Sequence, residues 1–347
     1  MTQSHEARLA VIIVNYGTSA LVLKALPALL RDLDGLGLSA VFIVDNASPG
    51  EDGAALAEGL RAFPEAAGAA PQVRFLPSAV NGGFAAGNNV AFAEIRRLGL
   101  RPEAVLLLNP DAEVRPGALA EMLRVLESDP AIGFVGPRVE NPDGSSWVGA
   151  FNFPSMGGEV FGALGLDVLA RHFRSTIPDS DRPVCADWIT GTAMMIRGQA
   201  FAELGDMDDG YFLYYEEVDY MLQGARLGWQ SWHAPQARVH HIAGAATGVV
   251  DKTVARGRMP AYWFQAWARY FAKNHGPAHA RTTALLRILA TLLGDLQRSL
   301  RGRQVPRPQR FLRDFAAATL FSRLSPPPVA PTARNPANRP VTPRPGK

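Results

Sequence analysis

Short apolar runs rich in β-branched residues occur at Leu9–Val14, Ala40–Val44, Gln72–Leu76 and Ala104–Leu108, about one every 30 residues. Turn residues bound each run, and segments with helical spacing, such as Ala20–Leu33 and Phe84–Leu98, lie between them. Strands alternating with helices predict βαβ units and an α/β, Rossmann-like, mostly parallel sheet with helices on both faces. Right-handed crossovers then place all four strand C-termini on one edge.

The pattern loosens after residue 112. Pro116–Leu126 predicts a helix opened by proline in its first turn, Ile132–Val135 a further strand, and Asn141-Pro-Asp-Gly144 a turn. Residues 145–182 are rich in Gly and Phe without a period and predict a long loop or flap. Trp188–Arg197 reads as one strand, Tyr215–Leu227 as a helix, and Arg238–His241 as a short strand. Beyond 250, Ala261–Asn274, Pro277–Leu300 and Gln309–Leu324 predict three helices, the last two with Leu and Ile on one side and Arg on the other. From Ser325 onward 8 of 23 residues are Pro and 4 are basic, which predicts a disordered tail. The expected organisation is a catalytic unit over 1–275, a C-terminal helical extension over 276–324 and a tail over 325–347.

Composition narrows the classes. The one cysteine, Cys185, excludes a disulfide framework and Cys-based metal clusters, and fits a reducing compartment. No apolar run approaches the roughly 20 residues of a membrane span, and Met1–Ala10 lacks the charge-then-apolar order of a signal peptide. A cytoplasmic protein is expected. The net charge of +3 hides a division: 13 basic and 2 acidic residues lie from Arg281 onward, against 22 basic and 30 acidic before it.

Open α/β sheets bind ligands outside the carboxyl ends of their strands, and here those ends are polar: Asn15-Tyr16, Asp45-Asn46, Ser78–Asn81 and Asn109-Pro110-Asp111. The first loop is no Gly-x-Gly-x-x-Gly, and no Gly-Lys-Ser/Thr loop occurs, so dinucleotide oxidoreductases and P-loop ATPases are excluded. Asp45 can accept two hydrogen bonds from the N–H edge of uracil or thymine. Asn81-Gly82-Gly83-Phe84, running to Asn88, offers backbone N–H groups to a diphosphate, or is an ordinary turn. Asp111 is a candidate ligand for Mg²⁺ or Mn²⁺, with a helix cap as the alternative. Three acids crowd into Glu216-Glu217-Val218-Asp219, which raises at least one pKa unless a cation or helix N-terminus relieves them. Of His240-His241, strand alternation turns one imidazole inward, where it can complete a metal site.

Together Val11–Tyr16, Val44–Ser48, Asn81–Asn89, Leu108–Asp111, Asp187–Arg197, Phe212–Asp219 and His241–Gly244 resemble, in order, family 2 glycosyltransferases of GT-A fold. Their branch of rhamnosyltransferases and galactofuranosyltransferases is the most similar. The resemblance implies that Asp45 reads a pyrimidine, that Asn15, Tyr16 and Asn81, Gly82, Gly83, Phe84 and Asn88 sit against nucleotide and diphosphate, and that Asp111 and His241 serve the divalent cation. Asp187, Trp188 and Arg197 fall in the sugar and acceptor site. Glu217 stands where the family's catalytic aspartate usually stands, with Glu216 as the second assignment. Three positions depart from the pattern: Gly17 replaces Asn, Asp111 is the lone acid of the DxD position, and Glu217 replaces Asp.

The implied activity is inverting, metal-dependent transfer of a sugar, rhamnose, from a dTDP- or UDP-linked donor onto a glycan or lipid-linked saccharide. A sugar nucleotidyltransferase would need a basic Gly-rich loop, and Asn15–Ala20 has no Lys or Arg. A non-catalytic glycan- or nucleotide-binding protein of the same fold is the rival from another class. The Arg- and Leu-sided C-terminal helices suit the anionic cytoplasmic face of a membrane, or else packing on the catalytic unit or in a homo-oligomer. Nucleic acid is not an expected partner, because the tail lacks interleaved aromatics and the body is acidic.

Overall fold

The computed structural model describes residues 7–63, 72–141, 143–165, 175–241, 257–303 and 307–324. The tail expected from 325 and the Ile242–Gly244 end of the histidine motif lie outside the described residues.

Strands β1 (Leu9–Asn15), β2 (Ser39–Asp45), β3 (Gln72–Pro77) and β4 (Ala104–Leu108) run parallel in the order β3-β2-β1-β4. Helices α1 (Ser19–Leu33), α2 (Asp52–Leu60) and α3 (Gly83–Arg97) connect them. The sheet continues from β4 through antiparallel β10 (Ala193–Arg197) to β6 (Ile132–Glu140), β11 (Gln230–His241) and the edge strand β5 (Ala112–Val114). Strand β8 (Val184–Ala186) pairs with β11, while β7 (Ala150–Phe151) and β9 (Trp188–Ile189) form a separate ribbon. The remaining helices are α4 (Ala118–Glu127), α5 (Met156–Leu164), α6 (Gly198–Leu204), α7 (Glu216–Arg226), α8 (Ala261–His275), α9 (Pro277–Leu300) and α10 (Phe311–Thr319).

Strands β1, β2 and β4 are buried at every position, which is why they read as unbroken apolar runs. Alternate residues serve two cores. Leu9, Val11 and Ile13 pack with Leu26 and Leu56 on one face; Ala10, Ile12 and Val14 pack with Phe92 and Ile95 on the other. A third core joins Tyr211 and Val218 to Phe264, Trp267 and Phe271 of α8, Ala280 and Ala284 of α9, and Phe315 of α10.

Several expected elements differ. The stretch read as loop over 145–182 contains β7 and α5, the latter capped by Ser155 accepting from Gly158 N. Three glycines among the nine residues of α5 weaken its propensity, and packing against α9 supplies what propensity does not. Trp188–Arg197 is two strands in different sheets, broken at Thr190–Thr192 where Asn109 N donates to Thr192 O. Helix α4 begins at Ala118 behind left-handed Gly117, and Asp32 of α1 caps it by accepting from Gly117 N and Leu119 N. Strand β11 is 12 residues long, not a short run at its end, and α10 spans only 9.

Candidate active site

The register Asn15↔Asp45 at the ends of β1 and β2 brings the first two polar loops side by side. Asn15 Nδ2 donates to Asp45 Oδ1, Ser48 Oγ and Asp52 Oδ2, each at 3.0 Å, and Asn15 Oδ1 accepts from Thr18 N and Oγ1. Asp45 Oδ2 also accepts from Ser48 N at 3.3 Å. Both side chains are buried and lie behind the cavity that Tyr16 and Asn46 help to line.

Asn81 and Gly83 tie the third loop to this edge. Asn46 Nδ2 donates to Asn81 Oδ1 and to Gly83 O, both at 3.0 Å, and Gly83 N donates to Asn81 Oδ1 at 3.0 Å. Gly83 has φ +84°, and a Cβ there would fall 1.9 Å from Phe212 O, so only glycine allows Phe84 N to donate to that carbonyl at 2.9 Å. The loop at 81–84 and the loop at 212–215 are thereby locked backbone to backbone. Gly83 and Phe84 line the cavity; Gly82 caps α3, and buried Asn88 donates to Phe84 O from behind.

Asp111 follows β4, and β5 then pairs with β11 so that His241 lies opposite Ala112. His241 Nε2 and Asp111 Oδ1 are 3.0 Å apart, while His240 faces the other way and meets Glu140 Oε2 at 3.1 Å. Alternation has sorted the two imidazoles as expected.

Tyr214 and Tyr215 hold left-handed backbone angles, φ +73° and +69°, immediately before α7. This turn presents Glu216 and Glu217 in the helix's first turn, where the macrodipole favours negative charge. Asp219 turns away and is held by Lys273 Nζ at 2.6 Å and Asn274 Nδ2 at 2.7 Å. Among the described residues Glu216 Oε2 and Glu217 Oε2 are buried without a hydrogen-bond partner. Burial pushes both carboxyls up from their ordinary value, and the neighbouring Glu217 charge raises Glu216 further.

Two cavities meet at this turn. The first, of about 510 Å³, is lined by Tyr16, Gly83, Asp111, His241, Glu216 and Glu217 among others. The second, of about 630 Å³, lies between α5 and the C-terminal helices and includes Trp188, which stacks on Phe151 at 4.1 Å. Tyr214 and Glu217 line both.

Two expected site residues lie elsewhere. Arg197 is corrected to a structural residue: β10 is antiparallel to β4, so Arg197 pairs with Ala104 at the far end of the sheet. Its guanidinium donates to the carbonyls of Leu126 in the last turn of α4 and of Asp129 and Ile132 just beyond it. Asp187 lines neither cavity; its Oδ2 accepts from Phe153 N at 3.0 Å and braces the β7–β9 ribbon. Conversely, Thr190–Thr192 and Tyr262 line the first cavity without having been assigned there. Threonine and glycine in a strand pattern carry no site signal, and Tyr262 belongs to α8, which begins 57 residues after α6 ends.

The donor set fits a hard divalent cation. The Asp111 carboxylate and the His241 imidazole lie together on one wall of the first cavity, and His241 Nδ1 is buried without a partner among the described residues. Among the described residues no group of three or more His, Cys, Asp or Glu is placed to hold a metal ion. Asp111 with His241 is the pair available to Mg²⁺ or Mn²⁺, which take one or two protein ligands and complete their shell with phosphate oxygens.

The sheet, its crossover and the polar C-terminal edge define a GT-A fold. Solved structures agree in fold: a mannosyltransferase from Pyrobaculum calidifontis in complex with GDP-Man and Mn²⁺ matches with TM-score 0.52 and 15% identity over 91% of this chain and 81% of its own. A structure of GalNAc-T7 with UDP, GalNAc and Mn²⁺ matches with TM-score 0.53 and 14% identity, over 92% of this chain and 59% of that one. The family model for glycosyl transferase family 2 matches residues 10–199, and the chain belongs to that family. It is 30% identical over 190 residues to an N-acetylglucosaminyl-diphospho-decaprenol L-rhamnosyltransferase of Mycobacterium tuberculosis, covering 51% of this chain and 61% of the relative. A low-salt glycan biosynthesis hexosyltransferase of Haloferax volcanii is 27% identical over 230 residues, 63% of this chain and 62% of its own. The chain thus spans about three fifths of the length of these curated relatives.

Proposed function

We propose that the protein is an inverting, metal-dependent glycosyltransferase that moves rhamnose from a dTDP- or UDP-linked donor onto a glycan or lipid-linked saccharide. The observation that carries this reading is that Glu217 forms a shared wall of two cavities, one of which also holds Asp111 and His241. A base at such a junction can take the proton of an acceptor hydroxyl held on one side while the donor lies on the other.

In this reading the first cavity takes the nucleoside diphosphate, with the Asn81–Phe84 loop against its phosphates and Asp45 and Asn15 fixing the loops around the base. Asp111 and His241 would hold a divalent cation, whose charge would neutralise the leaving diphosphate. Glu217 removes the proton of an acceptor hydroxyl. The hydroxyl oxygen bonds to the anomeric carbon from the face opposite the diphosphate, the anomeric C–O bond breaks, and the nucleoside diphosphate leaves with the electron pair. One displacement inverts the configuration. The raised proton affinity of the buried carboxyl improves it as a base near neutral pH.

The name of the Mycobacterium tuberculosis relative supports rhamnose as the sugar and a lipid-diphosphate-linked saccharide as the acceptor. Such an acceptor places the protein peripherally on the cytoplasmic face of a membrane; among the described residues no helix is long and apolar enough to cross one. The test is a transfer panel of dTDP- and UDP-sugars with Mn²⁺, Mg²⁺ or EDTA, run beside Glu217→Gln. We expect transfer by the wild-type protein, its loss in EDTA, and a fall of at least about 100-fold in the variant with dTDP affinity retained. Full turnover by Glu217→Gln overturns the base assignment, and no transfer from any donor overturns the reading.

A further inference from the structure

The second cavity carries positive charge that the transfer chemistry does not use. Three arginines face it: Arg287 and Arg298 from α9 and Arg307 from the segment that follows. Arg287 is spent, because it pairs with Glu159 and lies over the Phe315 ring at 4.9 Å and the Trp263 ring at 5.5 Å. Arg298 and Arg307 share one carboxylate. Asp295 accepts from both guanidinium ends of Arg307, one at 2.6 Å, and from Arg298 only at 3.3 Å. That distance is long for a charge-assisted hydrogen bond, and the Arg298 side chain is one-third exposed. Among the described residues, two guanidiniums on one carboxylate leave a positive charge unmatched at this end of the cavity.

The placement matters as much as the charge. Arg298 lies 11 residues from Arg287, about 16 Å along α9 at 1.5 Å per residue, while Glu217 and Trp188 line the same cavity. At about 630 Å³ the space falls in the range that holds whole small ligands rather than one sugar ring.

We propose that Arg298 and Arg307 form a phosphate-binding subsite for the acceptor, so that the acceptor is a saccharide phosphate or diphosphate. Guanidinium planes match phosphate oxygens in bidentate geometry. Gripping the phosphate there aims the sugar hydroxyl at Glu217. This inference rests on the reading of Glu217 as base and of the second cavity as the acceptor side. The phosphate can come from a lipid-linked diphosphate or from a free sugar phosphate, and the two are separable.

The full chain is titrated with inorganic pyrophosphate and with geranyl diphosphate, the donor side being filled by saturating dTDP. We expect both to bind, Arg298→Gln to weaken both by at least tenfold, and Arg298→Lys to weaken them less. The dTDP affinity of the variants stays within twofold of wild type, and their thermal midpoints stay unchanged. Tighter binding of geranyl diphosphate than of pyrophosphate assigns a lipid-linked source; equal binding assigns a free phosphate. No binding by the wild-type chain, or equal binding by Arg298→Gln and Arg307→Gln, overturns the proposal. A chain that fails to bind dTDP yet keeps arginine-dependent pyrophosphate binding counts against the transfer reaction and for the phosphate subsite.

Discussion

Glu216 and Glu217 show how one short acidic run is divided among different tasks. Asp219 is neutralised by Lys273, 54 residues away in the chain, whereas the two glutamates meet the helix N-terminus and buried surroundings. Holding them there needs two consecutive tyrosines in left-handed conformation, each costing about 1–3 kcal/mol, and strain of that kind concentrates at functional turns. The acidic run and the Asp111 and His241 candidates were legible from residue type and strand position. Their division of labour was not, because it depends on α8 packing across α7. Arg197 was misplaced for a similar reason: alternation along β10 says which face a residue takes, not which end of the sheet it reaches. A pH dependence follows from the buried acids. A carboxyl whose folded pKa is raised contributes stability that is present below its unfolded value and lost as pH rises through the folded one. Glu216→Gln removes that loss for one group. In EDTA, the melting temperature of the variant relative to wild type is therefore expected to rise as pH is raised above the ordinary carboxylate range. A difference that stays flat across that range would show that Glu216 ionises freely in the folded protein.

Helix α9 is the element whose limits were most legible and whose orientation was least so. Its start follows from proline in the first turn after Gly276, and the pattern runs unbroken to Leu300. An amphipathic helix ordinarily turns its leucines inward. Here the inner face is made of small residues, Ala280, Thr283, Ala284, Ala290, Thr291 and Gly294, and a Cβ on Gly294 would lie 2.6 Å from Ala163 O of α5. Backbone approach of α5 to α9, together with the arginines facing the second cavity, turns the leucines out. Leu285, Leu286, Leu289, Leu292, Leu293, Leu296 and Leu300 are 38–80% exposed along one stripe. Exposed Arg281, Arg301 and Arg303 flank the stripe, and no acid on this helix is exposed. Such a face suits an anionic bilayer surface, into which leucines insert while arginines meet headgroups. Vesicles containing phosphatidylglycerol are expected to carry the full chain upward in a flotation gradient. Replacing Leu289, Leu292 and Leu296 by serine should cut the bound fraction by at least about tenfold without lowering the melting temperature. Absence of flotation by the wild-type chain, with a leucine-dependent dimer in gel filtration, would assign the stripe to a second copy instead.

Across the molecule, the half of the site nearest the N-terminus was open to sequence reading because parallel strands deliver their loops to one edge. In the other half the candidate residues were legible but the elements that bring them together were not. The family model ends at residue 199, yet Glu216, Glu217, His241 and Tyr262 complete the first cavity, and residues as late as Phe311 line the second. Aromatic contacts between helices distant in sequence build that half, and no local period announces them. Phe315 of α10 packs edge-on to Trp267 of α8 at 4.8 Å and also meets Phe264 and Phe311. Val218 of α7, adjacent to Glu217, belongs to the same core. In the proposed reading, the extension after residue 275 serves as a wall of the second cavity. Phe315→Ala, which opens a cavity in a fully buried aromatic cluster, should cost about 3–5 kcal/mol and lower the melting temperature while preserving a single unfolding transition. The same change should slacken the turn at Tyr214–Glu217 and reduce transfer more than it reduces dTDP binding, since the loops around the nucleotide belong to the other two cores. Two separate thermal transitions in the variant, with transfer intact, would show that the extension folds as an independent domain and that the second cavity is no part of the site.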